Sequence, residues 1–311
     1  MKDNDLIQFD KKLNNKKIDL FRSVLSNSFY EHEKTKLSNM EVFKDSISAF
    51  NDIFDKCVLL TKKLGIDNPL DIANLYTALI WNGYFSVNKK YNFDDYSNLL
   101  RITSFYEFDI IFGKGNCLSN SFFISKLLNK HGIKSFPIHN LINDSKIENY
   151  SFDFYFLTPP KNYIVYDSKE NIDIFRWYIQ KRLGNHVNVF IDEEKKFIYD
   201  PTNIAMYKVL NKDKAELVTG TGTIDLKLLS SYIFANNDEE KEFLNKFINY
   251  EKFDCYTSFD FRKSYSKIKE IFLFEEDLLN EFRIEIYDDL LFIESDIINI
   301  LKGNKNLTRK I

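Results

Sequence analysis

The apolar residues change period twice along this 311-residue chain, and that change limits the fold more than any single motif does. Over residues 1–100 they recur at helical spacing. Asn51 to Leu64 places Ile53, Phe54, Cys57, Val58, Leu60 and Leu64 on one side, and Gly65 stops the run. Pro69 to Tyr84 carries a second stripe, Leu70, Ile72, Ala73, Tyr76, Leu79 and Ile80, with Gly83 near its end. A third helix is expected over Phe93 to Ile102. After Gly132 the pattern shortens to strand-like runs: Ile133–His139, Phe152–Leu157, Tyr163–Asp167, Val187–Ile191 and Phe197–Asp200. From about Ile224 the helical period returns, most plainly over Ile271 to Leu301, which reads as one amphipathic helix or a pair. Helix, then antiparallel sheet, then helix predicts an α+β fold. We divide it as a helical region over 1–95, a core over 96–215 and a helical region over 216–311, which can pack as one unit.

Asn116 to His131 joins the first helical region to the strands. Gly113 and Gly115 let the chain turn, Asn116 suits an N-cap, and Gly132 suits the left-handed stop. Cys117 then falls in the first turn. The partial positive charge and unpaired N–H groups there favour a thiolate, and the Cys117 N–H would face a developing oxyanion. Read alone, such a residue is more often a small apolar side chain at a buried helix start.

A base and an acceptor that orients it are the other parts of a nucleophilic thiol site. His186 opens the alternating run Asn185–Asp192, and Asp200 ends the next run before Pro201-Thr202. Pro201 forces Asp200 into extended geometry and stops the ladder. Side chains alternate between faces, so the loop between the two strands decides whether the pair shares one. An even loop pairing Ile191 with Lys196 would turn Asp200 away. A three-residue loop, Asp192 to Glu194, would pair Ile191 with Lys195 and set Asp200 directly opposite His186. The expectation is an odd loop or a bulge between Ile191 and Phe197, with sulfur and imidazole about 3–4 Å apart.

Gly115-Asn116-Cys117, opening a helix that ends Leu127-Leu128-Asn129-Lys130-His131-Gly132-Ile133, resembles the cysteine motif of the transglutaminase-like superfamily. His186-Val187 and Asp200-Pro201-Thr202 resemble its histidine and aspartate motifs, and Leu79-Ile80-Trp81-Asn82-Gly83-Tyr84 resembles helices preceding the core in bacterial members. The match covers residues 70–205. It departs at Asn188, where many members have Trp, and in a turn that looks one residue short and lacks Gly. The resemblance implies a papain-like core, a cysteine helix on an antiparallel sheet, with Cys117, His186 and Asp200 as a triad. It implies acyl transfer or hydrolysis on a peptide or glutamine amide by a cysteine peptidase, deamidase or transglutaminase. An inactive binding or scaffold protein that keeps the fold is the alternative.

Other residues weigh less. Asp167 ends a strand and competes with Asp200 as the orienting acid. His139 competes with His186 as base, though a solvated strand end explains it as well. His131 reads as a helix C-terminal partner of the dipole, and Cys57 as core. Cys255 stays undecided. Gly220-Thr221-Gly222 lacks the Lys-Ser/Thr of a phosphate loop, so Thr223 is expected to cap a helix. The three cysteines and four histidines show no zinc spacing, and no calcium loop is present, so neither metal nor cofactor is expected. Basic and acidic residues number 43 and 46, which argues against a nucleic-acid partner. No signal core or membrane span is read, and three widely spaced cysteines imply no disulfide framework. The expected setting is the cytoplasm and the expected partner a protein or peptide substrate. Delivery as an effector onto a protein of another cell is a further reading that no sequence feature demonstrates.

Overall fold

The computed structural model describes residues 40–87, 105–113, 115–142, 185–193, 195–211, 214–218, 223–225 and 256–303. Helix α1, Lys44–Lys63, buries Phe50, Ile53, Phe54, Cys57 and Leu60, and Gly65 follows it at φ 63°. Helix α2 is Pro69–Trp81, where Asn68 accepts from the Asp71 N–H at 2.9 Å and Pro69 fills the first position. Every residue from Leu70 to Ile80 is buried, so α2 is a central helix covered on all sides. A short α3, Phe108–Ile111, leads to α4, Cys117–Lys130. The stretch read as a C-terminal helix or pair is two helices, α5 (Ser258–Phe274) and α6 (Glu276–Gly303), which part at Glu275. Thr257 and Asp260 cap α5 reciprocally. No described helix is long and apolar enough to cross a membrane.

Among the described residues six strands form the sheet: β1 (Ser135–Ile142), β2 (Asn185–Ile191), β3 (Phe197–Asp200), β4 (Ala205–Asn211), β5 (Lys214–Leu217) and β6 (Thr223–Asp225). Each pairs antiparallel with the next and β6 returns to β1, so the sheet closes. Over residues 187–191, 197–200 and 205–207 both faces of the sheet are buried. Val189, Ile191, Phe197, Tyr199 and Met206 join a cluster shared with the six described helices. Phe190, Ile198 and Tyr207, which alternate with them, are buried outside that cluster. Core residues from these helices and from one side of the sheet thus belong to one cluster, with α4 packed directly on β1 and β2. The α+β class and the antiparallel sheet behind the cysteine helix are as the sequence predicts.

Several expectations change. Thr223 lies in β6, so it caps no helix, and the chain is still strand at Ile224. His139 sits inside β1, opposite Val187, rather than at a strand end. The helix expected at 93–102, the strands at 152–157 and 163–167 (with Asp167), and Cys255 lie outside the described residues.

Candidate functional site

The turn into α4 is fixed by its own side chains. Asn116 is extended at φ −128° and ψ −177°, and its Oδ1 accepts from the N–H groups of Leu118 at 2.9 Å and Ser119 at 3.0 Å. Ser119 Oγ accepts from the Asn116 N–H at 2.8 Å, completing a reciprocal cap. Gly115 is needed for packing. A Cβ there would stand 2.6 Å from Asn120 Oδ1. Cys117 is the first residue of the helix and is half-buried.

Two serines seat the helix on the sheet. Ser121 Oγ donates to the Val187 carbonyl of β2 at 3.0 Å. One turn later Ser125 Oγ donates to the Ser135 carbonyl of β1 at 3.1 Å, and Ser135 Oγ answers to the Ser125 carbonyl at 3.0 Å. Such small side chains allow a close approach while satisfying strand carbonyls. Cys117 and Leu118 pack with Tyr106 against Phe122 and Val187, a small apolar cluster apart from the main core. The Tyr106 and Phe122 rings lie 5.0 Å apart. Burial, with Asp109 and Glu107 adding to it, pushes the Tyr106 hydroxyl up to about 12, so it stays neutral near pH 7.

His186 follows Asn185 in β2, with its backbone opposite Asn140; its side chain lies outside the described part of the structure. The β2–β3 loop has five residues, 192–196, because Ile191 pairs with Phe197. Lys196 bridges Asp192 at 3.0 Å across it, and the Asp192 N–H donates to the Lys134 carbonyl at 2.8 Å. The loop is odd, as a shared face requires, but longer than three residues. Continuing this register sets Asp200 opposite Asn188, two positions from His186 and of the same parity, rather than directly opposite it. At five residues the loop spans the strands without glycine; among the described residues Ile204 is the only non-glycine at positive φ.

Asp200 is 1% exposed and closes the four-residue turn to β4, paired with Ala205. Its Oδ1 accepts from the N–H groups of Thr202 at 2.9 Å and Asn203 at 3.0 Å, and its Oδ2 from Asn203 Nδ2 at 2.7 Å. The carboxylate therefore has a fixed orientation and a structural task of its own. The Trp81 indole N–H donates to the Pro201 carbonyl at 3.1 Å.

The three predicted residues thus come from packed neighbours: α4 lies on β2, β2 pairs with β3, and Asp200 ends β3. Tyr106, Phe122, Ser121 and Trp81 were not read as site residues. The signal for Ser121 was a run of serines in an otherwise apolar helix; for the others no local signal exists. Cys57 is fully buried, and burial holds its thiol well above the usual range. His131 is the C-terminal cap of α4, yet burial and then Lys62 lower its pKa, and its Nε2 lies 3.4 Å from Thr61 Oγ1. Its place at the helix end is as the sequence predicts, and burial disfavours the charged ring there. Among the described residues no cluster of side chains could hold a metal. No family model, curated protein or solved structure matches the chain.

Proposed function

We propose that the chain is a transglutaminase-like, papain-like enzyme of the Cys-His-Asp type that acts on a peptide or glutamine amide. The observation that carries this reading is the seating of α4. Cys117 opens a capped helix that Ser121 bonds to β2 one residue after His186. The first turn of a 14-residue helix favours a thiolate through its partial positive charge. Asp200 supports the orienting role by its fixed carboxylate and its shared parity with position 186.

In this mechanism the Cys117 thiolate attacks the amide carbon, and the C–N bond of the tetrahedral intermediate breaks. His186, as imidazolium, gives its proton to the leaving amine. Water, deprotonated by His186, then attacks the thioester carbon, the C–S bond breaks, and the acid leaves with the thiolate–imidazolium pair restored. An amine in place of water gives transamidation. We favour hydrolysis, because water is always present and no amine pocket is read from these residues.

The alternative is a binding or scaffold protein that keeps the fold without catalysis. It is favoured by the three hydrogen bonds that already occupy Asp200 in its turn. Labelling the native chain with a vinyl-sulfone or chloroacetamide probe, followed by peptide mapping, separates the two. The enzyme reading expects modification at Cys117, lost in Cys117→Ala and strongly slowed in His186→Ala. Labelling no faster than that of the denatured chain contradicts it.

A further inference from the structure

Helix α2 grips β3 on both sides of Asp200. The residue before it, Tyr199, is fully buried and donates its hydroxyl to Asn74 Oδ1 at 2.9 Å. The residue after it, Pro201, offers its carbonyl to the Trp81 indole N–H at 3.1 Å. Asn74 and Trp81 stand two turns apart on one face of α2. The helix is itself anchored. Asn74 Nδ2 donates to Ser264 Oγ of α5 at 2.9 Å, and Lys267 of α5 bridges Asp71 at 2.9 Å.

Alternation turns Asp200 away from the face on which Tyr199 meets α2. The carboxylate is set by donors from its own turn, residues 202 and 203. Those donors fix the carboxylate within its turn, and the bonds that leave the turn set where it lies against α2. The indole bond ties the turn to a helix that does not move with it.

We propose that Trp81 is a positioning residue for Asp200. It acts through the Pro201 carbonyl, and the Asn74–Tyr199 bond is the second tie. The proposal rests on the acyl-transfer reading of the site, in which Asp200 orients His186 and thereby sustains the Cys117 thiolate. Loss of the tie lets the carboxylate drift, weakens the imidazolium, and raises the pH at which the thiolate forms.

The test is the rate of Cys117 alkylation by iodoacetamide across about pH 4 to 9, followed by mass spectrometry on the full chain. Trp81→Phe keeps a ring and removes the N–H, Trp81→His returns a ring N–H, and Asp200→Asn is the reference. Trp81→Phe is expected to raise the titration midpoint in the same direction as Asp200→Asn, by about 0.5–1 pH unit. Trp81→His is expected to recover part of that shift. If Asp200→Asn moves the midpoint and Trp81→Phe leaves it in place, the positioning role is overturned while the acyl-transfer reading stands. If the wild type titrates as a free thiol and Asp200→Asn changes nothing, both are overturned. Where near-ultraviolet circular dichroism shows Trp81→Phe unfolded, Tyr199→Phe carries the same test through the second tie, with the same expected and overturning results.

Discussion

Replacing Gly115 with alanine tests how tightly the turn before Cys117 is built. The added Cβ would lie 2.6 Å from Asn120 Oδ1 and 3.5 Å from its Cγ, whereas ordinary contact begins at 3.4 Å. Relief requires a movement of about 0.8 Å, on the scale of an overpacked core methyl. Asn120 is 3% exposed on the second turn of α4, so its amide has no open solvent to swing into. The strain falls on that rotamer or on the backbone leading to Cys117. The backbone angle at Gly115 is not left-handed, so the cost comes chiefly from the steric clash. Overpacking of this kind costs about 1–3 kcal/mol. Urea unfolding should show it as a lower midpoint at unchanged slope. Asn120→Ala removes the clashing amide, so Gly115→Ala should cost under ~0.5 kcal/mol in that background, a coupling of at least ~0.5 kcal/mol. Equal costs in the two backgrounds would refute the close approach.

Asn116→Ala removes the acceptor of two first-turn N–H groups and should cost about 1 kcal/mol in the same assay, whereas Asn116→Asp, which keeps that acceptor, should cost less. Cys57, fully buried and with its thiol pKa raised, should resist alkylation in the native chain and react only on unfolding, measured by peptide mapping against time in denaturant. His131 carries a lowered folded pKa, so the unfolded chain takes its proton first as pH falls. Its contribution is intact above the ordinary histidine value of about 6.5 and is lost as pH drops through the folded value. His131→Gln should therefore flatten the acid side of the stability curve, and an unchanged slope would contradict the burial argument.

Local signals made much of this fold legible. The stripe that opens at Pro69 announces α2, while Asn116 and Gly132 bracket α4, because caps and left-handed stops are properties of a few adjacent residues. The parity of the β2–β3 loop was also readable, since one face must hold both His186 and Asp200 if they cooperate. Its length was not. A Lys196–Asp192 bridge stabilises five residues as readily as alternation permits three. The strands β4 to β6 escaped notice because they are short or mix Ala, Lys and Asn. Their identity comes from closing the sheet, as when Leu141 meets Asp225. The Trp81–Pro201 bond joins residues 120 positions apart, and no window along the chain could contain it.

The proposed chemistry stands or falls on whether Cys117 and His186 form a thiolate–imidazolium pair. Nitrogen-15 NMR of the His186 ring, titrated in the wild type and in Cys117→Ser, reads that pair directly. A ring paired with a thiolate should stay protonated well above the ordinary value of about 6.5 in the wild type, and its pKa should fall by about a unit or more when the sulfur is replaced. Superimposable titrations at an ordinary histidine value in the two proteins would contradict the pair.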